Sequence, residues 1–246
     1  MRNFKLLLCY DGSRYRGWQR LGDCENTIQG KLEYVLSRMA NEPIEVIGSG
    51  RTDAGAHAQG QTANFHCRTD LSYWEILAYL RHYLPEDIGI VSVEEVDDRF
   101  HSRFHAKSKT YRYRIWNSDL PCVFERRFVW QVEEALDVDA MQQAAQLFLG
   151  THDFLGFCSN KHFKKSSVRT ITRFSVERVG PEIHFVVTGD GFLHNMVRIM
   201  VGTLVAIGRG ESASEIIPAV LSSRIREQAG ETVPPQGLCL MEVEYS

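Results

Sequence analysis

Residues 192–208 read FLHNMVRIMVGTLVAIG, a helical stretch that is apolar on nearly every face. A helix of that kind has to be buried all round. No apolar run in the chain approaches the length that spans a bilayer, so protein must do the burying. At 246 residues the chain can build a core around it, as one large domain or two smaller ones. Hydrophobic residues at 43% and charged residues at 24% fit a soluble globular protein. Arg198 lies inside this stretch. A guanidinium does not deprotonate there, and leaving it buried and unpaired costs about 3–5 kcal/mol. It therefore meets an anion, or it reaches water beside His194 and Asn195. Asp53 is the carboxylate to which the pairing is assigned.

The elements that would surround this helix come in order. FKLLLCYDGS reads as a buried strand running into a turn at Asp11-Gly12. Thr27 caps a predicted helix with Ile28, Leu32, Val35, Leu36 and Met39 at helical spacing. PIEVIG is a short strand ending at a glycine loop, and GQTANFHC continues extended, with Thr62, Asn64 and His66 alternating against Ala63, Phe65 and Cys67. Ser72-x-x-Glu75 is a capping box for a helix that Pro85 stops, and IGIVSVEEV is a strand. The remainder reads similarly. KTYRYRIWN is a strand, VDAMQQAAQLFLG a helix closed by Gly150, and RTITRFSVERVG and EIHFVVTGDGF a hairpin across Gly180-Pro181. The apolar helix comes next, then SEIIPAVLSSRI, a helix interrupted by Pro218, and a last strand in LCLMEVEY. This is an α+β pattern in two related halves, residues 1–104 and 105–246.

Six cysteines at 9, 24, 67, 122, 158 and 239 form no C-x-x-C pair and no zinc spacing. Reduced thiols and a cytoplasmic protein are expected, the more so because the first apolar run, Leu6 to Cys9, is too short for a signal peptide. The formal net charge is −3, so a polyanionic partner would be held by a local patch rather than by the summed field.

Three stretches carry chemistry. Gly48 to Gly55, GSGRTDAG, begins like a phosphate-binding loop, but Ala56 and His57 stand where lysine and a hydroxyl are needed. Nucleotide cradling is not expected on that ground. Asp53 then acts as a turn or helix-cap residue or as a reacting carboxylate beside Arg51. Asp53 and His57 are spaced for a metal, but nothing nearby completes a ligand set, so no metal is expected. The second stretch, Arg99 to Ile115, holds Arg99, Arg103, Lys107, Lys109, Arg112 and Arg114 interleaved with Phe100, Phe104, Tyr111 and Tyr113, and no acid. That mixture suits a nucleic-acid backbone and unstacked bases. Tyr113 reads better as core. Lys161, Lys164 and Lys165 form a smaller basic loop. The third stretch is the Arg198 helix.

Together YDGSRYRGWQR, TIQGKLE, GSGRTDAGAHAQGQ, FHSRFHAKSKTYRYRI, GTHDF, GFLHNMVRIMVGTL and GLCLMEVEY resemble the TruA family of tRNA pseudouridine synthases over nearly the whole chain. GRTDAG followed by histidine is the most specific part, and Ala56 stands where valine is commoner. The resemblance implies two α/β halves with antiparallel sheets joined side by side, a central cleft, and a homodimer in the cytoplasm that binds tRNA. It implies isomerisation of uridine to pseudouridine in the anticodon stem-loop, at tRNA positions 38, 39 and 40, with no cofactor. Asp53 matches the catalytic aspartate, which attacks C1′ or takes a proton from C2′. Arg198 matches the arginine that keeps it ionised. Tyr111 matches the tyrosine against the target base, and Arg51 the residue that fills the space of the flipped uridine. The glycines flanking Asp53 leave room for an RNA backbone to approach. Arg103, Lys109, His57 and Leu240 are expected around the substrate.

Overall fold

The computed structural model describes residues 1–20, 22, 26–160 and 166–245. Cys24 and the lysine loop at 161, 164 and 165 lie outside them. The chain forms two compact units, Met1–Lys107 with Cys239–Ser246, and Ser108–Leu238.

In the first unit β1 (Arg2–Tyr10) leads to α1 (Ile28–Ala40), β2 (Val46–Gly48), β3 (His57–Cys67), α2 (Tyr73–Tyr83) and β4 (Ile88–Val96). β1 is central, antiparallel to β4 on one side and β3 on the other, and β2 pairs antiparallel with β3. The predicted starts of both helices are observed. Thr27 Oγ1 accepts from Gly30 N at 3.1 Å, and the Ser72–Glu75 box is closed in both directions. One face of the sheet buries Phe4, Leu6, Leu8, Ala63 and Phe65 completely, with the Phe4 and Phe65 rings stacked 5.5 Å apart.

The other face holds a surprise. Asn3, Thr62 and Asn64 are buried as well, so the alternation in β3 separates apolar from polar rather than inside from outside. The two asparagine amides are satisfied by a covering segment: Asn3 Nδ2 donates to the carbonyls of Asp97 and Phe100 at 2.9 Å, and Asn64 Oδ1 accepts from Ser102 N at 2.9 Å.

The second unit runs β5 (Ser108–Asn117), β6 (Trp130–Val132), α3 (Val138–Ala145), β7 (Gly150–Asp153), β8 (Val168–Val179), β9 (Glu182–Gly189), α4 (Met196–Gly208) and α5 (Ile216–Ser223). Its strands follow the order β5, β9, β8, β7, all antiparallel, with β6 parallel to β5. The short β6 and β7 have no counterpart among the predicted elements. α3 tightens into a single 3-10 turn at Gln146–Phe148, which turns Phe148 fully inward, and Gly150 at φ +99° opens β7 instead of closing the helix. Pro218 does not interrupt α5 either. It lies in the first turn, where its missing N–H has no intrahelical partner to lose.

α4 is buried as its composition requires, with Ile199, Met200, Val201 and Leu204 inaccessible to solvent. Small residues let neighbours approach it. A Cβ on Gly208 would stand 2.7 Å from Met141 Sδ of α3, and one on Gly202 would stand 2.1 Å from the Glu231 carbonyl oxygen.

The expected division near residue 105 assigns everything after it to the second half. The last strand, β10 (Leu238–Glu244), departs from that: from Cys239 onward it belongs to the first unit. It pairs parallel with β3, Cys239 opposite His57 and Leu240 opposite Ala58. A parallel partner so distant in sequence leaves no local signal in either strand. Among the described residues no helix is long and apolar enough to cross a membrane.

Candidate active site

Asp53 stands in the connection between β2 and β3. Ser49 continues their pairing, its amide donating to the Thr62 carbonyl at 2.8 Å and its hydroxyl to Gln61 Oε1 at 2.6 Å. Gln61 Nε2 in turn donates to the Gly50 carbonyl at 3.2 Å. Residues 53–56 then close a tight turn, with the Ala56 amide on the Asp53 carbonyl at 3.1 Å. Gly55 takes φ +81° at the position where a type II turn calls for glycine. Asp53 leads into this turn and then β3, so it caps no helix. Thr52 faces inward while Arg51 is exposed and Asp53 half-buried.

The segment after β1 supports this turn from the protein side. Tyr10 and Thr52 share a buried hydroxyl hydrogen bond of 2.8 Å. The Trp18 amide donates to the Thr52 carbonyl at 3.1 Å, and the Gly55 amide to the Tyr15 carbonyl at 3.3 Å. Backbone meets backbone here. Gly17 has φ +90°, and a Cβ on it would lie 2.7 Å from the Thr52 oxygen. A Cβ on Gly12 would lie 1.8 Å from the Ala56 oxygen. Gly48 serves another end. Its missing side chain is replaced by the Trp18 indole, 2.5 Å from where a Cβ would be, so internal packing explains this glycine.

His57 is 4% exposed, and its Nδ1 accepts the Gly12 amide at 3.0 Å. Leu240 is wholly buried beside Ala58. Both are expected from the sequence to touch substrate; burial gives them supporting positions around the turn.

The segment anchored on Asn3 and Asn64 carries the start of the basic stretch. Arg99, Arg103 and Lys107 are exposed, and Phe104 is 76% exposed with its ring 4.2 Å from that of His101. His101 Nδ1 accepts the amides of Arg103 and Phe104 at 3.2 and 3.3 Å, which ties the segment into a turn. Burial, then the charges of His105, Arg103 and His66, keep the His101 imidazole below its usual pKa.

In the second unit Tyr111 and Lys109 lie on β5, opposite Val187 and Gly189 of β9. Tyr111 is 7% exposed, and its ring meets Phe192 edge-on at 5.1 Å. Tyr113 is core as expected: fully buried, its hydroxyl donates to the Pro234 carbonyl at 2.7 Å. Arg114 is committed elsewhere than to nucleic acid. It grips Glu182 through two hydrogen bonds of 2.6 and 2.7 Å, and that grip holds the Glu182 carboxyl below its ordinary value.

Arg198 projects from the first turn of α4 and is half-buried. Its Nε donates to the Val233 carbonyl at 2.7 Å and its Nη1 to Asn195 Oδ1 at 2.9 Å. Asn195 is itself fixed, since its Nδ2 donates to Ser159 Oγ at 3.0 Å and its backbone is left-handed at φ +60°. In the sequence Asn195 reads only as part of a wet stripe. The usable signal is an asparagine, a residue that tolerates that backbone, just before a helix.

The profile of a family described as tRNA pseudouridine synthase matches residues 8–105 and 144–246. Asp53 and Arg198 fall inside the match and Tyr111 outside it. A protein of Bacillus sp. (strain KSM-64) named tRNA pseudouridine synthase A is 51% identical over 230 residues, 94% of each chain. One of Bacillus anthracis, named tRNA pseudouridine synthase A 2, and one of Acetivibrio thermocellus, named tRNA pseudouridine synthase A, are each 45% identical over 245 residues and matched along their full length.

Proposed function

Because the chain belongs to the tRNA pseudouridine synthase family, we propose that it isomerises uridine to pseudouridine in tRNA with Asp53 as its catalytic carboxylate. The observation that carries this is the Asp53 turn, a half-buried carboxylate on a backbone locked by Tyr15, Trp18 and Gly55 and flanked by an exposed Arg51. A carboxylate held in that way is preorganised for a reacting centre that has to come to it.

The reaction breaks the uridine N1–C1′ bond, turns the base, and joins C5 to C1′. C5 loses its proton and N1 gains one, so the product is an isomer and no group donor, oxidant or cofactor is consumed. Asp53 in its ionised form attacks C1′ or takes the C2′ proton. Arg198, oriented by Val233 and Asn195, pairs with Asp53 and favours that ionised form. Tyr111 packs against the target base. Arg51 fills the gap left when the nucleotide flips out, a step that costs a few kcal/mol of unstacking. Arg103 and Lys109 hold the backbone, while His57 and Leu240 shape the support beneath. The target is the anticodon stem-loop, positions 38 to 40, and the working form is a cytoplasmic homodimer.

The test is tritium release from tRNA labelled at uridine C5, with EDTA present and no nucleotide added. Release by the wild type and none by Asp53→Ala, with tRNA binding retained, supports the reading. Equal release by both removes Asp53 from catalysis. Binding without release by either makes the protein an RNA-binding module.

A further inference from the structure

One exposed face of the first unit is cationic and aromatic and takes no part in the site described above. Along α1, Lys31, Tyr34 and Arg38 succeed one another at helical spacing, with Tyr34 59% exposed and the Arg38 guanidinium 5.7 Å from its ring centre. Depressions of about 440, 600 and 590 Å³ border this helix, lined among others by Arg14, Arg20 and Tyr83. Tyr83 is 52% exposed, its ring 4.4 Å from that of Tyr79.

The arrangement of charge is the telling feature. Arg14 pairs with Asp87 and Arg20 with Glu33, at 2.6 and 3.1 Å, but in both pairs the acid is beneath and the base on top. The Arg14 and Arg20 side chains are 67% and 57% exposed, against 8% and 7% for Asp87 and Glu33. Glu33 is also occupied from inside, accepting from Gln29 Nε2 at 2.9 Å and from the Val46 amide at 3.1 Å. Both carboxylates still neutralise their partners from below, but the guanidinium edges that a ligand would meet are turned to solvent. Among the described residues, Glu45 is the only other acid lining the depressions. Arg14, Arg20, Lys31 and Arg38 thus present their cationic groups on one face beside two accessible π-faces, in a protein of net charge −3.

We propose that the α1 face, through Arg14, Arg20, Lys31, Tyr34, Arg38 and Tyr83, is an RNA-docking surface that holds the sugar–phosphate backbone of tRNA away from the reacting nucleotide. This rests on tRNA being the substrate. Guanidinium edges and an ammonium suit phosphate oxygens, and tyrosine faces suit ribose and unstacked bases.

The experiment measures equilibrium binding of an unmodified tRNA transcript across a salt series. It compares wild type with Lys31→Ala/Arg38→Ala, and with Tyr34→Ala added to that pair. The double variant is expected to bind on the order of tenfold more weakly, with a log–log salt slope shallower by about one for each phosphate no longer neutralised. Removing Tyr34 as well weakens binding further without changing the slope. Unfolding midpoints are checked alongside, and Lys31→Gln/Arg38→Gln replaces the double variant if it unfolds. Wild-type affinity and slope in a folded double variant overturn the surface. So does unchanged tRNA affinity with a loss of dimer in sedimentation, which assigns the face to a second copy of the chain. A wild type that binds no tRNA overturns the underlying reading itself.

Discussion

Tyr15 joins the Asp53 turn to the connection between α2 and β4: its carbonyl accepts the Gly55 amide at 3.3 Å, and its hydroxyl donates to the Asp87 carboxylate. Asp87 also holds Arg14, so one acid fixes the segment on which the turn rests. Burial alone would raise the Asp87 carboxyl, but hydrogen bonds from Tyr15 and Arg14 and the Arg14 charge outweigh it and leave its pKa below the ordinary value. A carboxyl lowered on folding adds stability that is complete above its unfolded value, about 3.9, and is lost as pH falls through the folded one. Asp87→Asn is therefore expected to flatten the acid limb of the stability curve. Urea unfolding of both proteins between neutral and acid pH checks it; equal steepness below about pH 4 contradicts it.

Gly17→Ala is expected to cost at least about 2 kcal/mol, from positive φ and from contact with a carbonyl that cannot move away. Because that carbonyl is Thr52's, turnover should fall as well at temperatures where the variant is still folded. Chemical denaturation paired with tritium release measures both. A stability loss with full turnover would separate the two segments.

Asn195 is a positioning residue for Arg198. Asn195→Gly keeps the left-handed backbone available and deletes only the side chain between Ser159 and Arg198. Hydrogen bonds to charged groups contribute about 1.5–3 kcal/mol. The expected result is a fall in kcat of roughly ten- to a hundredfold, KM being little changed. A drop confined to stability would show that Arg198 keeps its working orientation without Asn195.

Ser72→Ala provides the opposite case. It opens the capping box of α2 and is expected to cost about 1 kcal/mol with turnover unchanged at saturating tRNA. Thermal unfolding and product formation would report it.

Local chemistry is legible in the sequence. Thr27, Ser72 with Glu75, and the Gly180 hairpin are all readable from a few neighbouring residues, because caps and turns are decided within that distance. Tyr113 reads as core from its place on β5. The features that escape are decided at a distance. The resemblance makes the glycines flanking Asp53 space for an approaching RNA backbone, and nothing in the neighbourhood of Gly48 announces that Trp18 fills the space there. Arg114 groups with its basic neighbours, because Glu182 meets it only across the β5–β9 ladder. The return of β10 to β3 depends on a pairing that neither strand encodes alone.

That return has a consequence for the order of events during synthesis. The entire second unit is translated before β10, so the sheet bearing the Asp53 turn waits with the His57–Ala58 end of β3 unpaired on the side away from β1 while more than half the chain emerges from the ribosome. Chains cut short anywhere in the second unit lack the strand that sits beside His57 and Ala58, and they present an unpaired edge to chaperones and proteases. Completion of the support beneath the Asp53 turn thus depends on translation having run through the whole second unit.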